Sequence, residues 1–307
     1  MECSRCSEPA VLRQAYSGNH LCTSHLYQSV EKRVKSRIRK DGIMDRGDRW
    51  VVGLSGGKDS SVLLHVLQRV FGDNPTVEIV AATLDEGIEG YRNEAVEASR
   101  ELASQLGVEH HVFSFDDLYD VTVDEITAGD NPGKPCSYCG VFRRSALNHA
   151  SEKLDATKLV MGHNLDDVAQ TALMNFLDGD VERISRHYEA SLSPEHDGEN
   201  FVRRVKPLRD IPEKEVAVYA QLKDLPVYLD ECPNAEGATR GEVRDMLLEY
   251  ERRHPGTRHS IMNAYEKIAT NLDHDSIDKD VSSCEKCGEP TTGAVCRKCS
   301  LLEEVKA

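Results

Sequence analysis

The sequence lacks the features of a membrane protein or a secreted protein. A membrane-spanning helix needs roughly 18 or more consecutive apolar residues, and no window of the chain approaches that length. The chain opens Met1-Glu2-Cys3, without the basic start and apolar stretch of a secretory signal. We therefore expect a cytoplasmic protein that has no membrane partner.

Positive charge is also scarce. The net charge of −15 would ordinarily argue against a nucleic-acid partner, because such a protein needs cations to neutralise phosphate. However, 23 Arg residues stand against 15 Lys residues, and an acidic surface with this bias is typical of proteins adapted to high salt, which screens the repulsion between carboxylates. The acidity therefore indicates adaptation to salt and does not exclude RNA. An ordinary acidic cytosolic protein is the alternative.

Cysteine is plentiful, with ten residues in a chain of 307. Most fall into two sets of four metal ligands near the ends: Cys3, Cys6, Cys22 and His25, and Cys284, Cys287, Cys296 and Cys299. Two close pairs of soft ligands suit a tetrahedral structural zinc ion, so we expect two Zn²⁺ ions. Disulfides are the alternative, which an intracellular location disfavours, and His25 has the further alternative of an ordinary surface histidine.

Between these sets, apolar runs alternate with amphipathic stretches. The predicted strands are Trp50–Leu54, Val77–Leu84, Val108–Phe113, Lys158–Met161 and Val227–Leu229. The predicted helices are Ser60–Phe71, Tyr91–Leu106, Leu165–Leu177 and Glu213–Leu222, with another starting near Gly140. This alternation predicts an α/β fold with a parallel, doubly wound sheet. In such a sheet the ligand lies beyond the carboxyl ends of the strands.

The first predicted strand runs into the loop Gly53-Leu54-Ser55-Gly56-Gly57-Lys58-Asp59-Ser60. A glycine turn that opens a helix presents backbone N–H groups and the positive end of the helix, which suits phosphate. It is not a Walker A loop, because Val52 stands in place of the first glycine and Asp59 in place of the Ser or Thr. The G-x-G-x-x-G dinucleotide pattern does not fit either. An ordinary glycine turn is the remaining alternative.

Ser-Gly-Gly-Lys-Asp-Ser resembles the pyrophosphate loop of ATP-cleaving enzymes that adenylate a substrate. Further motifs extend the resemblance to nearly the whole chain: Pro135–Arg144, Gly162–Asp167, Lys206–Leu208, Glu231–Cys232 and the two metal-ligand sets. Together they resemble the cytoplasmic tRNA 2-thiolation protein family and its archaeal members, with a halophilic archaeon as the expected source. The resemblance implies an adenine-nucleotide hydrolase-like sheet flanked by zinc modules. It also implies a tRNA-uridine 2-sulfurtransferase that uses ATP to replace the C2 oxygen of a uridine by sulfur.

The loop residues suit this chemistry. Adenylation converts the C2 oxygen of uracil, a poor leaving group, into a leaving AMP. We expect the loop from Gly53 to Gly57, with Ser60, to hold the departing pyrophosphate. Lys58 would neutralise developing charge and Asp59 would place Mg²⁺.

Residues after the other strands complete the predicted ATP site. The resemblance implies that Leu84 and Asp85 hold the adenosine, whereas Gly162 and Asp167 follow the fourth strand at the same edge. Asp167 would act on metal or nucleotide, and Arg143 would face phosphate. The alternative for Asp167 is a favourable charge at the N-terminus of the following helix, and the alternative for Arg143 is a solvated face.

Three cysteines remain: Cys136, Cys139 and Cys232. We expect Cys136 and Cys139 just before a helix whose dipole favours thiolates, and Cys232 after the last strand, so that all three converge at one edge of the sheet. Three thiolates can hold a [4Fe–4S] cluster and leave one iron open for sulfide, and the resemblance favours this arrangement. A persulfide relay, with Cys136 and Cys232 as catalytic thiols, is the rival. A purely structural role is a third possibility.

The segment from Glu31 to Lys40 is the best candidate for a tRNA contact, because six of its ten residues are basic. Leu26, Val30, Val34 and Ile38 give it one apolar stripe, so the predicted helix has a basic remainder. A solvated helix face is the alternative. A second, weaker basic patch consists of Arg252, Arg253, His254, Arg258 and His259. The resemblance also implies a ubiquitin-like sulfur-carrier protein as sulfur donor, and it leaves a homodimer open.

Two features bear on which uridine is modified. His25 stands where many members that act on the wobble uridine have Cys, and the branch that acts on the T-loop uridine often has His there. Conversely, Cys139-Gly140-Val141-Phe142-Arg143-Arg144 resembles the wobble branch, which we favour. Another adenylating enzyme and a non-enzymatic tRNA-binding scaffold remain alternatives.

We expect the chain to divide into five segments. These are an N-terminal zinc module (1–28), a basic linker helix (29–48), the ATPase domain (49–235), a helical segment (236–280) and a C-terminal zinc ribbon (281–307).

Overall fold

A computed structural model describes residues 1–129, 135–181, 183–184, 202–235, 239–272 and 282–306. The strands are β1 (Leu12–Arg13), β2 (His20–Leu21), β3 (Asp48–Gly53), β4 (Val77–Asp85), β5 (Glu109–Ser114), β6 (Lys158–Val160), β7 (Arg203–Val205), β8 (Ser282–Ser283) and β9 (Pro290–Thr291). The helices are α1 (Thr23–Lys40), α2 (Lys58–Phe71), α3 (Arg92–Leu106), α4 (Phe115–Tyr119), α5 (Val123–Ala128), α6 (Pro135–Lys153), α7 (Leu165–Leu177), α8 (Glu213–Leu222), α9 (Thr239–Arg253), α10 (Thr257–Ala269) and α11 (Arg297–Lys306). Within these ranges, none of the helices combines the length and the apolar character that crossing a bilayer requires.

The central sheet has five parallel strands in the order β5-β4-β3-β6-β7. In its middle, Val51 of β3 lies beside Val80 of β4 and Leu159 of β6, and all three are buried. The chain proceeds from β3 outward to β5 and then returns to β6 on the other side of β3. The strand order therefore reverses between β3 and β6. Ligands bind at the carboxyl ends of the strands beside such a reversal, which places the site beyond Gly53 and Val160.

Helices cover both faces of the sheet. Trp50 and Val52 pack in one buried cluster with residues of α1, α2 and α8. Val51 belongs to a second buried cluster, which includes Phe142 of α6 and Leu301 of α11. A third cluster joins α7, α9 and α10. The predicted doubly wound α/β fold is confirmed.

Two expectations about local structure are wrong. Residues 227–229 form no strand, and the fifth strand is Arg203–Val205 instead. The apolar run at 227–229 leads the chain across the glycine loop, where the Tyr228 N–H donates to the Gly56 carbonyl at 2.8 Å. Consequently Cys232 follows an irregular segment and not a strand. The helix expected near Gly140 begins at Pro135, because proline suits the first turn of a helix.

Candidate functional site

The loop after β3 is closed by its two serines. The Ser55 N–H donates to Ser60 Oγ at 3.0 Å, and Ser60 Oγ donates to the Gly57 carbonyl at 3.1 Å. Gly57 precedes α2 with extended backbone, so the loop leads directly into the helix. The first N–H groups of a helix have no partner within it, and here they border the loop. This is the geometry of a phosphate-binding turn.

Glycine is required at two positions for steric reasons. Gly56 has a φ of +82°, and a Cβ on it would lie 2.1 Å from the Ala95 carbonyl oxygen of α3. A Cβ on Gly162 would lie 2.9 Å from the backbone nitrogen of Ser60. The segment after β6 therefore packs directly on the loop after β3. A Cβ on Gly53, the last residue of β3, would lie 3.2 Å from Sδ of Met161.

Lys58 is held between two carboxylates. Its Nζ lies 2.9 Å from Asp59 Oδ2 and 2.7 Å from Glu213 Oε1. Although burial favours the neutral amine, the negative charges of Asp59 and Glu213 outweigh it and raise the pKa of Lys58. Asp59 also accepts a hydrogen bond from Asn164 Nδ2 at 2.9 Å. The cation is thus positioned at the loop by residues from three elements.

The two aspartates after β6 differ in environment. Asp167 caps α7, because its carboxylate accepts from the Asn164 N–H at 3.0 Å while the Asn164 side chain accepts from the Asp167 N–H at 3.1 Å. Burial, and then repulsion from Asp59, raises the pKa of Asp167 to about 6. Asp166 instead accepts from the Glu213 N–H and pairs with Arg258 at 2.8 Å. Asp167 therefore caps the N-terminus of α7, which was the alternative to a role in metal or nucleotide binding. It also lies close enough to Asp59 for the two charges to repel each other.

A buried ion-pair triad lies beneath the loop. Glu86, whose side chain is 3% exposed, pairs with Arg92 at 2.5 Å and with Arg143 at 2.8 Å. Arg92 in turn donates to the Ser55 carbonyl at 3.0 Å and to the Leu84 carbonyl. Arg143 is thus bound to a carboxylate, and half of its side chain remains exposed.

Sequence reasoning missed both Glu86 and Arg92. Glu86 directly follows Asp85 at a strand end, which is the only signal that pointed to it. Asp85 itself accepts from the Gly87 N–H at 3.0 Å and shapes the turn after β4, whereas Leu84 is buried.

The three remaining cysteines gather at the N-terminal end of α6. Cys136 is exposed and donates from Sγ to the Asn234 carbonyl at 3.1 Å, two residues beyond Cys232. Cys139 and Cys232 are half-buried beside the same apolar cluster. Burial, together with the charges of Glu86, Cys232 and Cys136, raises the pKa of Cys139 to about 11 despite Arg143. Both Cys136 and Cys139 lie inside α6, so the expectation that they precede the helix is wrong.

The terminal ligand sets are compact. Within each, the ligand atoms all lie within 4.8 Å of one another. Cys22 Sγ lies 3.2 Å from His25 Nδ1, and Cys287 Sγ lies 3.6 Å from Cys296 Sγ. Disulfide sulfurs would be about 2.05 Å apart, whereas four ligands around one zinc ion lie roughly 3.3–3.8 Å apart in a tetrahedron. The donor atoms and their spacing fit zinc, and all ten cysteines are free.

The basic segment forms the second half of α1, with Leu26, Val30, Val34 and Ile38 buried as predicted. Two of its six cations stabilise the fold: Arg33 pairs with Glu215, and Arg37 pairs with Asp210 at 2.5 Å. The other four, Lys32, Lys35, Arg39 and Lys40, are exposed. The weaker patch is also partly engaged, because Arg258 pairs with Asp166 and the ring of His259 lies 4.5 Å from that of Tyr16.

Two family models match the chain. A model of the PP-loop domain matches residues 26–251. A model of the N-terminal LIM domain of the 2-thiouridine synthetase TtuA matches residues 2–27. The two matches together cover the N-terminal ligand set, α1 and the central sheet.

Several known proteins are similar over nearly the whole chain. The tRNA 2-thiolation protein NcsA of Haloferax volcanii is 48% identical over 100% of both chains. The cytoplasmic tRNA 2-thiolation protein 1 of Caenorhabditis elegans is 35% identical, over 98% of this chain and 79% of its own. The solved structure of the U34-tRNA thiolase NcsA from Methanococcus maripaludis with its [4Fe-4S] cluster has a TM-score of 0.84 at 33% identity, covering 98% of this chain and 95% of that one.

Proposed function

This chain belongs to the PP-loop domain family and, within it, to the tRNA 2-thiolation proteins, and we propose that it replaces the C2 oxygen of the wobble uridine by sulfur in an ATP-dependent reaction. One observation carries the proposal: the glycine loop and the cysteine trio, joined through Arg92, Glu86 and Arg143, lie at one edge of the sheet. An amide ligase with the same loop would have no use for three thiols there. The relative named for U34 of tRNA supports the wobble position over the T-loop uridine.

In the first step, the C2 oxygen of uridine attacks the α-phosphorus of ATP and pyrophosphate leaves. The backbone of Gly56 and Gly57 and the hydroxyls of Ser55 and Ser60 hold the pyrophosphate, and Lys58 neutralises its charge. Asp59 and Asp167 would hold Mg²⁺, which supplies further positive charge when bound. The adenosine lies against Leu84 and Asp85, and Arg143 completes the phosphate side of the pocket.

In the second step, sulfur attacks C2 of the adenylated uridine and AMP leaves. Cys136, Cys139 and Cys232 would hold a [4Fe–4S] cluster, which when bound offers an open iron to exogenous sulfide. The donor set fits such a group, because burial disfavours the thiolate of half-buried Cys139, and a bound iron would add to the positive charge of Arg143 that favours it. The [4Fe-4S] cluster of the M. maripaludis relative supports this choice over a persulfide relay through Cys136 and Cys232.

The terminal ligand sets would each hold one structural Zn²⁺ ion. The division into five segments stays a prediction, and α1 crosses its boundary at residue 28. The partners we propose are tRNA, a ubiquitin-like sulfur carrier and a second copy of the chain in a homodimer. The acidic surface supports a protein that works at high salt, in agreement with its similarity to the H. volcanii relative.

Pyrophosphate release in the presence of tRNA tests the adenylation step. Asp59→Ala should abolish it, because Asp59 orients Lys58 and is the acidic group of the turn, while leaving both terminal ligand sets metallated. Asp73→Ala is the matched control, since Asp73 is exposed just beyond the other end of α2. Normal pyrophosphate release by Asp59→Ala would show that the loop does not have this role.

Iron content and nucleoside analysis test the sulfur step. Protein reconstituted without oxygen should bind about four irons, as a [4Fe–4S] cluster requires, and Ala substitution of any one of the three cysteines should remove the iron and the thiolation together. Pyrophosphate release should change less, because adenylation needs no sulfur. Full thiolation by iron-free protein would replace the cluster by the persulfide relay.

A further inference from the structure

Three cations on one face of α1 have no counter-ion in the part of the chain that the structure describes. Lys32, Lys35 and Arg39 occupy successive turns and are exposed. Among the carboxylates that the structure describes, none forms an ion pair with them, whereas Arg33 and Arg37 of the same helix are both paired. Folding therefore does not account for these three charges, which stand out on a chain with a net charge of −15.

The three cations line a groove that has an apolar floor. The groove encloses about 560 Å³ and is also lined by Ser36, Ile38, Gly42, Met44 and Phe71. Met44 is 43% exposed. Phe71 packs edge-on against the buried Trp50, with 5.5 Å between ring centroids, so that the floor rests on the core. Cations above a firm apolar surface suit a ligand that combines phosphates with flat apolar groups.

The distance between the groove and the ATP loop indicates how large a ligand must be to contact both. Phe71 is the last residue of α2 and Lys58, in the glycine loop, is the first. A helix of 14 residues is about 20 Å long, so the groove and the ATP loop lie at opposite ends of α2. A free nucleotide cannot reach both places, but an RNA can.

We propose that this groove is an anchoring site for the sugar–phosphate backbone of the tRNA, about 20 Å from the ATP loop. The cations are spaced along the α1 axis by about 4.5 and 6 Å, which allows them to contact neighbouring phosphates of one strand. Ribose or an unstacked base would then lie on Met44 and Phe71. This inference rests on the proposed function, because it presumes that tRNA is the substrate.

The test measures the affinity for tRNA transcript over a series of KCl concentrations. Lys32→Gln/Lys35→Gln should weaken binding on the order of tenfold at low salt, and the slope of log K against log[KCl] should fall by roughly two, one per lost phosphate contact. The kcat/KM for tRNA should fall by the same factor. Lys153→Gln/Lys267→Gln removes two exposed lysines elsewhere and should leave affinity, slope and kcat/KM unchanged.

Two further measurements complete the test. Arg39→Gln should lower the slope by roughly one more, whereas Met44→Ser should weaken binding without changing the slope. An unchanged slope in the Lys32/Lys35 variant, or an equal loss in the control, would overturn the proposal and leave thiolation itself untouched. If the unsubstituted protein fails to thiolate tRNA, the proposed function fails, and the salt slopes still decide whether the groove binds RNA.

Discussion

Glu86→Gln is the most informative single substitution at the site. It keeps the size of the side chain and removes the negative charge that joins Arg92 to Arg143. The side chains of Glu86 and Arg92 are only 3% and 5% exposed, so water cannot replace the lost charge at Arg92. The Arg143 side chain is 49% exposed and is readily solvated.

The burial of the two arginines determines how much the free energy of unfolding should fall. Removing one partner of a buried pair costs about 3–5 kcal/mol, because the other charge is left without compensation. A pair with a half-exposed partner contributes about 1 kcal/mol or less. We therefore expect the free energy of unfolding to fall by about 3–5 kcal/mol, almost all of it from Arg92. Because a native domain has about 5–15 kcal/mol in total, the variant should still fold.

The same substitution should weaken ATP binding. Arg92 donates hydrogen bonds to the carbonyls of Ser55 and Leu84, the residues that we propose to contact pyrophosphate and adenosine. An Arg92 side chain that moves to find a new counter-ion releases them. We expect the KM for ATP to rise on the order of tenfold, which corresponds to about 1.4 kcal/mol of lost binding.

Denaturant unfolding and steady-state kinetics at fixed KCl measure both effects. Glu97→Gln is the matched control, because Glu97 pairs with Arg100 on the exposed face of α3, the helix that carries Arg92. Loss of this pair should change the free energy of unfolding by less than about 0.5 kcal/mol. Loss of a buried pair should cost about 3–5 kcal/mol. If the free energy of unfolding of Glu86→Gln instead lies within about 1 kcal/mol of that of the unsubstituted protein, well below this range, the triad is not a compensated ion network.

Three further outcomes follow from the site. Gly56→Ala should abolish ATP binding, because its Cβ would meet the Ala95 carbonyl, whereas Gly90→Ala, with a similar φ of +70° and open space around it, should bind ATP normally in the same titration. Burial raises the pKa of Asp167 to about 6, so the stability that comes from its protonated form is present below about pH 4 and is lost as the pH rises through 6. In unfolding measurements Asp167→Asn should therefore be more stable than the unsubstituted protein at pH 8, by about 2–3 kcal/mol, with little gain near pH 4. The melting temperature should rise as KCl approaches molar levels, because screening relieves the repulsion of the −15 charge, and a flat or falling curve would contradict the adaptation to salt.

The sequence identified those parts of the fold that depend on local patterns. Trp50–Leu54 is a continuous apolar run, and Val77–Leu84 is apolar except for Glu78 and Thr83. Such near-continuous runs are typical of strands that are covered on both faces. The loop from Gly53 to Ser60 was recognisable because its chemistry fixes several residue types: Gly56 has no room for a side chain, and the hydroxyls and charges of the other residues suit phosphate. The terminal ligand sets were recognisable for the same reason, since ligand spacing is fixed by the size of the ion.

The parts that sequence reasoning missed depend on contacts between distant segments. β7 consists of Arg203, Arg204 and Val205, which no apolar pattern marks as a strand, and it forms because its backbone pairs with β6 at the edge of the sheet. The Glu86 triad brings Arg143 of α6 to Glu86 and Arg92, which lie more than 50 residues earlier in the sequence. The charges of the α1 helix looked alike in sequence, and only the packed structure separates Arg33 and Arg37, which are paired, from Lys32, Lys35 and Arg39, which have no ion-pair partner among the described residues.

The two terminal modules pack against the core of the protein. α1 begins in the N-terminal ligand set, carries His25 and continues through the expected boundary at residue 28 into the main apolar cluster. At the other end, Glu289 accepts from Ser145 of α6 at 2.5 Å, and Leu301 of α11 is buried against the same helix. α6 carries Cys136 and Cys139, so whatever fixes the C-terminal module also fixes two of the three thiols. Because a metal ion bound only by the folded module stabilises that module, the Zn²⁺ ion that we propose for it would also hold α6 in place. The geometry of the cysteine trio would therefore depend in part on the C-terminal ligand set.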